Sequence, residues 1–335
     1  MDYQISVIGA GSWGTTLAVL LANNGHKVML YVYEAEQFSA MQRERVNSVY
    51  LPGVKLPDSL RLTHDLEEAV VFAEHLVLAV PSHTVRSVLK RVPQKKLQHK
   101  LFINVAKGIE NDSLMRMSQV IEEESGVDPD RIATLSGPSH AEEVSQGVAT
   151  AVVAASRNLK TARRVREIFR TDTFRVYSSS DISGVELGGS LKNVIAIAAG
   201  IADGAGFGDN TKAALMTRAL VEMTRLGMEM GAHLPTFSGL SGMGDLIVTC
   251  MSRHSRNRFV GEEIGKGKSL QSILDKMVMV AEGVRTTRSV HQLQKKYQVE
   301  MPISEQVYQV LFHQKNPELA VRDLMTRDPK EELPV

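Results

Sequence analysis

Residues Gly9-Ala10-Gly11-Ser12-Trp13-Gly14 are the stretch of sequence that decides the fold of the N-terminal half. They follow the apolar run 3–8, which is typical of a buried parallel strand. They open the segment 15–22, which has the composition of a helix, and a second strand-like run covers 26–33. The predicted unit is therefore a strand, a tight glycine turn, a helix and a second strand.

The spacing of the three glycines indicates what this turn does. Gly9 permits the tight turn, Gly11 lets the backbone approach a pyrophosphate, and Gly14 allows helix and strand to pack closely. The helix N-terminus then faces the anion. In this context the motif predicts a dinucleotide-binding turn, and the alternative is a glycine turn in an α/β domain that binds no nucleotide.

Composition is that of an ordinary globular protein. The 335 residues are 43% hydrophobic and 23% charged, with a net charge of +1, so global charge favours neither nucleic acid nor an anionic membrane. The lone Cys250 excludes an internal disulfide framework and fits a reducing cytoplasm. We expect no signal peptide, no stretch of about 18 apolar residues that would span a membrane, and a cytoplasmic protein.

Strand-like runs alternate with helical segments up to about residue 177. The later runs cover 75–80, 101–106, 132–135, 149–155 and 174–177. Such alternation predicts a Rossmann-type, doubly wound parallel sheet, and from residue 181 onward the pattern becomes helical. The predicted fold class is α/β, with a nucleotide-binding domain over 1–180 and an all-helical domain over 181–335.

Three segments should reach the ligand crevice at the carboxyl ends of the parallel strands. They are 80–82, Lys107 and 136–142. Lys107 directly follows its strand, and its alternative is a solvated loop lysine. Ser139 and Glu142 have capping-box spacing, which predicts a helix start that either holds an anion or is an ordinary cap.

The segment 186–200 reads as a buried helix that carries Lys192. Gly188 and Gly189 lie four and three residues before Lys192, so they neighbour it on the helix surface. Two glycines inside a helix cost about 1 kcal/mol each relative to alanine, so they need a reason. Either this face packs closely on another segment, or it displays a lysine beside a substrate as an acid or base.

Two polar segments follow in the second half. Asp245 ends a glycine turn, where it either caps the next helix or takes part in the chemistry. The loop 252–258 contains Arg256 and is rich in donors suited to phosphate. A solvated basic loop is the alternative, and nucleic acid is a poorer explanation because aromatic residues are not interleaved.

Eight motifs together resemble the bacterial NAD(P)-dependent glycerol-3-phosphate dehydrogenases. They run in order along nearly the whole chain: 9–14, Tyr50-Leu51-Pro52-Gly53, Ala106-Lys107-Gly108, Ser136-Gly137-Pro138-Ser139, 186–193, Gly242-Met243-Gly244-Asp245, Ser255-Arg256-Asn257 and Glu282-Gly283-Val284. The lysine helix and the Ser-Arg-Asn triplet are specific, whereas many dehydrogenases share the glycine turn.

The resemblance implies reduction of dihydroxyacetone phosphate to sn-glycerol 3-phosphate, which supplies the backbone of phospholipids. It also implies a homodimer. It assigns proton donation to Lys192, with Lys107 assisting electrostatically and Asp245 orienting and tuning Lys192. The implied substrate-binding positions are Lys107, Gly137, Ser139, Lys192, Asp245, Ser255, Arg256 and Asn257. The implied cofactor-binding positions are Gly9, Gly11, Ser12, Trp13, Gly14, Tyr33, Lys107, Ala141, Arg256, Val280 and Glu282; no metal is implied.

The residues near Tyr33 give conflicting indications about the cofactor. The family often has arginine or histidine where this chain has Tyr33, and Glu34 is placed to bond the ribose 2′-hydroxyl of NAD. Arg43 and Arg45 follow on a predicted helix and could turn toward a 2′-phosphate. We expect both NADPH and NADH to work, with NADPH preferred.

Two other functions remain possible from the residues. One is a related dehydrogenase for a hydroxy acid, of the hydroxyisobutyrate or ketopantoate type, which needs no phosphate site. The other is a nucleotide-sensing protein without turnover. The predicted partner is a small-molecule substrate, without nucleic acid and without membrane insertion.

Overall fold

The computed structural model describes residues 2–329 and 331–332 and contains one large sheet. The strands are β1 Gln4–Ile8, β2 Lys27–Tyr31, β3 Val46–Asn47, β4 Leu51–Lys55, β5 Arg61–Thr63, β6 His75–Leu78, β7 Leu101–Asn104, β8 Ile132–Ser136, β9 Thr150–Ala155 and β10 Phe174–Ser179. The eight-stranded sheet has the order β10-β9-β8-β7-β6-β1-β2-β5, and β3 pairs with β4 separately. The strand order reverses beside β1, where β2 lies on one side and β6 on the other. Open α/β sheets bind ligands at such a point.

The two last strands depart from the predicted parallel sheet. In the order of the sheet, all neighbouring strands from β5 through β2, β1, β6 and β7 to β8 are parallel. Strand β9 runs antiparallel to β8, and β10 is parallel to β9. A parallel crossover must carry the chain back along the sheet, usually on a helix. The link from Ser136 to Thr150 contains only a five-residue helix, Ala141–Ser145, so β9 starts at the edge where β8 ended.

Helices cover both faces of the sheet, as a doubly wound fold requires. They are α1 Ser12–Asn23, α2 Ala35–Glu44, α3 Leu66–Phe72, α4 Val85–Lys90, α5 Met117–Ser125, α6 Ala141–Ser145 and α7 Leu159–Phe169. Apolar residues of α1, α2 and α7 form one buried cluster with the sheet, and those of α3, α4 and α5 form another. The sheet is therefore the middle of three layers.

Beyond Ser179, every regular element in the described residues is helical. The helices are α8 Ile182–Gly204, α9 Asp209–Glu229, α10 Leu234–Phe237, α11 Asp245–Met251, α12 Arg256–Gly265, α13 Leu270–Leu274, α14 Glu282–Tyr297, α15 Pro302–His313 and α16 Pro317–Met325, with one further π-helical turn at Leu240–Gly244. The central helix α8 is long and apolar enough to cross a membrane, contrary to our expectation. Its most apolar window is wholly buried inside the protein, as in a core helix.

Close packing of α8 on α12 rests on two pairs of glycines. A Cβ on Gly200 would lie 2.0 Å from the Arg258 carbonyl oxygen, and one on Gly204 would lie 2.1 Å from that of Glu262. On the facing helix, a Cβ on Gly261 would lie 2.0 Å from the Ile197 carbonyl oxygen, and one on Gly265 would lie 2.5 Å from that of Ile201. No larger residue fits at these positions without moving the backbone. This contact fixes the N-terminus of α12 beside the middle of α8.

Candidate active site

A cleft of about 730 Å³ lies between the carboxyl edge of the sheet and the helices around α8. Its volume is in the range usual for small-molecule sites. The sheet side contributes 9–13, 31, 33–34, 79–81 and 105–107, while the helical side contributes 192–193, 254–257 and 278–280. The predicted residues that line it are Gly9, Gly11, Ser12, Trp13, Tyr33, Lys107, Ser139, Ala141, Lys192, Ser255, Arg256, Asn257, Val280 and Glu282.

The glycine turn has the geometry that a dinucleotide requires. Gly9 has a φ of +113°, and a Cβ there would lie 2.9 Å from the Ala79 carbonyl oxygen. A Cβ on Gly14, which lies behind the cleft wall, would be 2.0 Å from the Gly9 carbonyl oxygen. A Cβ on Gly11 would meet nothing within 4 Å. The turn is thus closed on its inner side and open toward the cleft, so it fits a pyrophosphate at the start of α1.

The other expected cofactor positions lie around this turn. Ser12 begins α1, and its hydroxyl donates to Met279 Sδ at 3.3 Å, in the segment that includes Val280. Ala141 begins α6. Glu282 begins α14, and its carboxylate accepts bonds from the Ser82 amide at 2.7 Å and the Ser82 hydroxyl at 2.6 Å. Glu282 therefore ties α14 to the end of β6 at the cleft.

Lys192, Asp245 and Lys107 form a charged cluster in which Lys192 and Asp245 are buried and Lys107 is partly exposed. Lys192 Nζ donates to Asp245 Oδ1 at 2.6 Å, and Lys107 Nζ donates to Asp245 Oδ2 at 2.7 Å. Lys192 also donates to the Thr249 hydroxyl, one turn after Asp245 on α11. The side chain of Asp245 is 1% exposed and lies behind the two lysines, which themselves line the cleft. One carboxylate thus holds two ammonium groups at the cleft wall.

Gly188 and Gly189 allow this cluster to form. A Cβ on Gly188 would lie 2.5 Å from the Ser241 carbonyl oxygen, and one on Gly189 would lie 2.6 Å from Ser136 Oγ. The π-helical turn before Asp245 and the end of β8 therefore pack directly on the α8 backbone. The two interpretations of these glycines therefore both hold. Gly188 and Gly189 allow close packing, and this packing places Lys192 at the cleft. Lys192 itself is buried, with 6% of its surface exposed.

Burial gives Lys192 an unusual pKa. Loss of hydration lowers the pKa of its ammonium to about 8, and Lys107 contributes in the same direction while Asp245 opposes it. Burial acts to raise the pKa of Asp245, but the charges of Lys107 and Lys192 outweigh it, so that pKa lies below its ordinary value. Near neutral pH, Lys192 can therefore hold a proton and release it readily.

The segment 136–142 differs locally from its prediction. The helix begins at Ala141 with His140 as its N-cap residue, so the capping box predicted for Ser139 and Glu142 is wrong. The Ser139 hydroxyl instead donates to the Gly137 carbonyl oxygen at 2.9 Å. That same oxygen accepts from Lys107 Nζ at 3.0 Å. Ser139 and Lys107 therefore share one acceptor, because Gly137 takes a φ of +144° and turns the chain sharply there.

The basic loop 252–258 makes hydrogen bonds that hold the fold and also contributes Arg256 to the cleft. The Ser255 hydroxyl caps α12 by accepting from the Arg258 amide at 3.2 Å. The Asn257 amide donates to Asn193 Oδ1 at 2.9 Å and accepts from the Gly283 amide at 2.9 Å. Arg256 reaches the cleft, and within the described part of the chain no carboxylate is in ion-pair distance of it. Its guanidinium is therefore available to a ligand in the cleft.

The two arginines expected near a 2′-phosphate do not line the cleft. Arg43 pairs with Glu44 at 2.8 Å on the exposed side of α2. Arg45 follows α2 with a φ of +52°, and its guanidinium donates to the carbonyl oxygens of Pro57 and Leu60. Their expected role is not supported by this geometry.

Sequence reasoning missed several residues of the cleft. Thr249, His140, His254 and Arg91 all line it. Thr249 could have been found from its spacing four residues after Asp245. His140 Nε2 is buried and has no hydrogen-bond partner among the residues that the structure describes, and its ring lies 5.8 Å from that of His254. Arg91 follows the short helix α4, which carries no motif.

Family models and curated relatives match nearly the whole chain, including the residues of the cleft. The family models for the N-terminus and the C-terminus of NAD-dependent glycerol-3-phosphate dehydrogenase match residues 4–162 and 181–322. A glycerol-3-phosphate dehydrogenase [NAD(P)+] from Prosthecochloris aestuarii is 56% identical over 98% of this chain and 99% of its own length. One from Pelotomaculum thermopropionicum is 52% identical over 99% and 96%.

Solved structures show a similar fold over nearly the whole chain. Glycerol-3-phosphate dehydrogenase from Coxiella burnetii superimposes with a TM-score of 0.93 at 38% identity, covering 97% of this chain and 99% of that one. The enzyme from Saccharomyces cerevisiae gives a TM-score of 0.82 at 26% identity, covering 98% and 100%. The predicted fold class and resemblance are confirmed. The chain belongs to the family of NAD(P)-dependent glycerol-3-phosphate dehydrogenases, which are oxidoreductases.

Proposed function

We propose that this cleft reduces dihydroxyacetone phosphate to sn-glycerol 3-phosphate, with Lys192 as the proton donor. The observation that carries the proposal is the charged cluster in which Asp245 holds both Lys192 and Lys107 at the cleft wall. Family membership supports the reaction, and the product would serve phospholipid synthesis. The substrate is a small molecule.

The residues around the glycine turn would hold the cofactor. Gly9, Gly11 and Gly14 shape the turn for the pyrophosphate, beside Ser12 and Trp13 at the start of α1. The remaining positions proposed to contact it are Tyr33, Lys107, Ala141, Arg256, Val280 and Glu282. When bound, NADPH or NADH supplies a hydride. We propose that NADPH is preferred by about tenfold, which corresponds to roughly 1.4 kcal/mol.

The proton step belongs to Lys192. As the ketone carbon gains a hydride, negative charge develops on its oxygen, and a proton must reach that oxygen to complete the alcohol. Lys192 Nζ donates this proton and is left as a neutral amine. Asp245 and Thr249 accept hydrogen bonds from Lys192 and so orient it. Lys107, whose Nζ donates to the same Asp245 carboxylate, stabilises the developing oxyanion.

The phosphate of the substrate would be held at the start of α12. Arg256 offers a guanidinium fork, which suits a phosphate. Ser255 keeps its hydroxyl proton for a further bond, and the first amides of α12 point toward an anion. Gly137, Ser139 and Asn257 would complete the binding site. Binding of this remote group can be used to close the site over the reacting carbon.

We also propose a domain boundary, an oligomeric state and a cellular location for the chain. We place the boundary between the two domains near residue 180, between β10 and α8. We also propose a homodimer, which the family resemblance supports, and a cytoplasmic location, which the lone free Cys250 supports. Light scattering on the purified chain tests the dimer, since a mass of one chain would contradict it.

One assay tests the proposed function. Adding dihydroxyacetone phosphate to the protein with NADPH or NADH should cause loss of absorbance by the reduced cofactor. A chain that binds the cofactor but gives no turnover would be a nucleotide-sensing protein. A chain that turns over unphosphorylated keto acids better would be a hydroxy-acid dehydrogenase.

A further inference from the structure

The positive side chains of the cleft are unevenly distributed along the sheet edge. Lys107 follows β7, whereas Tyr31, Tyr33 and Glu34 lie at the end of β2, three strands away. Adjacent strands are about 4.8 Å apart, so the two places are separated by on the order of 14 Å. The proposed function places the reacting nicotinamide beside Lys192 and Lys107. An extended dinucleotide that crosses the glycine turn would then have its adenosine half at the β2 end.

Arg91 is the cation at the β2 end. Its Nη1 donates to the Tyr31 hydroxyl at 3.2 Å, and its guanidinium carbon lies 5.7 Å from the centre of the Tyr33 ring. The helix before it is anchored by Val85 and Leu89, which are buried in the sheet cluster. Among residues 2–329 and 331–332, no carboxylate lies within 4.0 Å of the Arg91 guanidinium. The group is therefore oriented but not neutralised.

We propose that Arg91 binds the 2′-phosphate of NADPH and is the residue that permits its use by this chain. The proposal rests on the proposed function, because it assumes that the glycine turn holds a dinucleotide. The planar guanidinium can give two parallel hydrogen bonds to a phosphate, and the bond to Tyr31 limits its orientations. Tyr33, which carries no charge, serves as the surface over which this guanidinium lies.

Glu34 opposes Arg91 at the same end of the cleft. Its carboxylate is exposed and lies 3.5 Å from the Tyr50 hydroxyl, which donates to it. A carboxylate there favours a ribose 2′-hydroxyl and repels a 2′-phosphate. Arg91 and Glu34 together give a cleft that accepts both cofactors, with Arg91 favouring NADPH.

Binding of cofactor fragments tests Arg91 without catalysis. We would measure dissociation constants for adenosine 2′,5′-bisphosphate and adenosine 5′-monophosphate by calorimetry, for the full chain and for Arg91→Gln. A charge-assisted phosphate contact corresponds to a factor of about ten to a hundred. We expect Arg91→Gln to weaken the bisphosphate by that factor and to leave the monophosphate nearly unchanged. The dissociation constant of Arg91→Lys for the bisphosphate should lie between that of the unaltered chain and that of Arg91→Gln.

Matched variants make the result decisive. Lys90→Gln removes the neighbouring exposed charge and should change neither ligand, and Arg43→Gln tests the arginine of α2. Equal weakening of both ligands by Arg91→Gln would overturn the proposal, since Arg91 would then contact the adenine or support the fold. A loss confined to Arg43→Gln would also overturn it. If the unaltered chain bound neither fragment, the dinucleotide function itself would fail.

Discussion

The two ends of the cleft differ in how their charges are held. Around Lys192 the ammonium of Lys192 and the carboxylate of Asp245 are buried and paired, with Lys107 sharing the same carboxylate. At the β2 end, Arg91 and Glu34 are exposed and form no ion pair with any described residue. Buried charges are costly unless they are paired and hydrogen-bonded, so the first arrangement tolerates little change. The exposed charges can change at small cost, and in our proposal they are the ones that adjust which cofactor is used.

Lys192→Ala tests the buried end and should have the largest effect. Removing a positioned acid typically lowers the rate by roughly 10²–10⁴-fold, and we expect kcat to fall by such a factor. Cofactor affinity should change little, because the glycine turn is untouched. Steady-state kinetics and cofactor titration measure the two quantities, with Lys95→Ala as an exposed control. Near-normal turnover in Lys192→Ala would show that another group supplies the proton.

Arg256→Ala tests the phosphate site between the two ends. A hydrogen bond to a charged group is worth about 1.5–3 kcal/mol, so kcat/KM for dihydroxyacetone phosphate should fall by about ten- to a hundredfold or more. Unphosphorylated dihydroxyacetone should be affected far less. Arg253→Ala is the matched control, because Arg253 is exposed in the same loop and does not line the cleft. Equal losses for both substrates would make Arg256 a structural or cofactor residue.

At the buried end, the sequence was enough to identify the residues but not the hydrogen bonds between them. Lys192 and Asp245 were recognisable from the glycines beside them, because glycines in a helix or turn need a reason. That one carboxylate binds both Lys107 and Lys192 was not predictable. It depends on how β7, α8 and α11 meet, and these segments are up to 138 residues apart in sequence.

The pH dependence of the rate sharpens the account of the buried end. Since burial lowers the pKa of Lys192 to about 8, the protonated donor is present below that pH and is lost above it. The kcat for ketone reduction should therefore be steady below about pH 8 and fall by up to about tenfold per pH unit above it. Oxidation of the alcohol needs the neutral amine, so its rate should rise over the same interval.

Asp245→Asn separates Lys192 from other titrating groups in this experiment. The Asp245 carboxylate raises the pKa of Lys192, so its removal should move the fall in reduction rate to lower pH. Rates measured from about pH 6 to about pH 10 at saturating substrate would show the shift. A profile that is flat through pH 8, or unmoved in Asp245→Asn, would contradict the assignment.

The exposed end was the less predictable one, for a physical reason. Arg43 and Arg45 lie close enough to Tyr33 in sequence to be reasonable candidates. In the structure, Arg43 is exposed on α2 and pairs with Glu44, whereas the guanidinium of Arg45 donates to the Leu60 carbonyl oxygen. Arg91 reaches the site from a different strand–helix unit, and neither periodicity nor a motif marks it. The reversal of β9 was missed similarly, since the shortness of α6 is visible only once its start at Ala141 is known.

Glu34→Gln tests the exposed end and should have the smallest effect. An exposed charge contact is worth about 1 kcal/mol or less, so the ratio of kcat/KM for NADPH to that for NADH should rise by no more than about fivefold. Part of the change should be weaker use of NADH, because a carboxylate binds the ribose hydroxyl better than an amide does. Glu36→Gln, on the exposed first turn of α2, is the control.

Salt distinguishes this electrostatic account from a change of shape. Repulsion between Glu34 and a 2′-phosphate is screened at high ionic strength, where the Debye length falls to about 3 Å at 1 M. The difference between the original chain and Glu34→Gln in NADPH use should therefore shrink as salt is added. A difference that persists at high salt would mean that Glu34 acts through its bond with Tyr50, by holding that ring in place. A clear NADH preference in the original chain would show that Glu34 outweighs Arg91 at this end of the cleft.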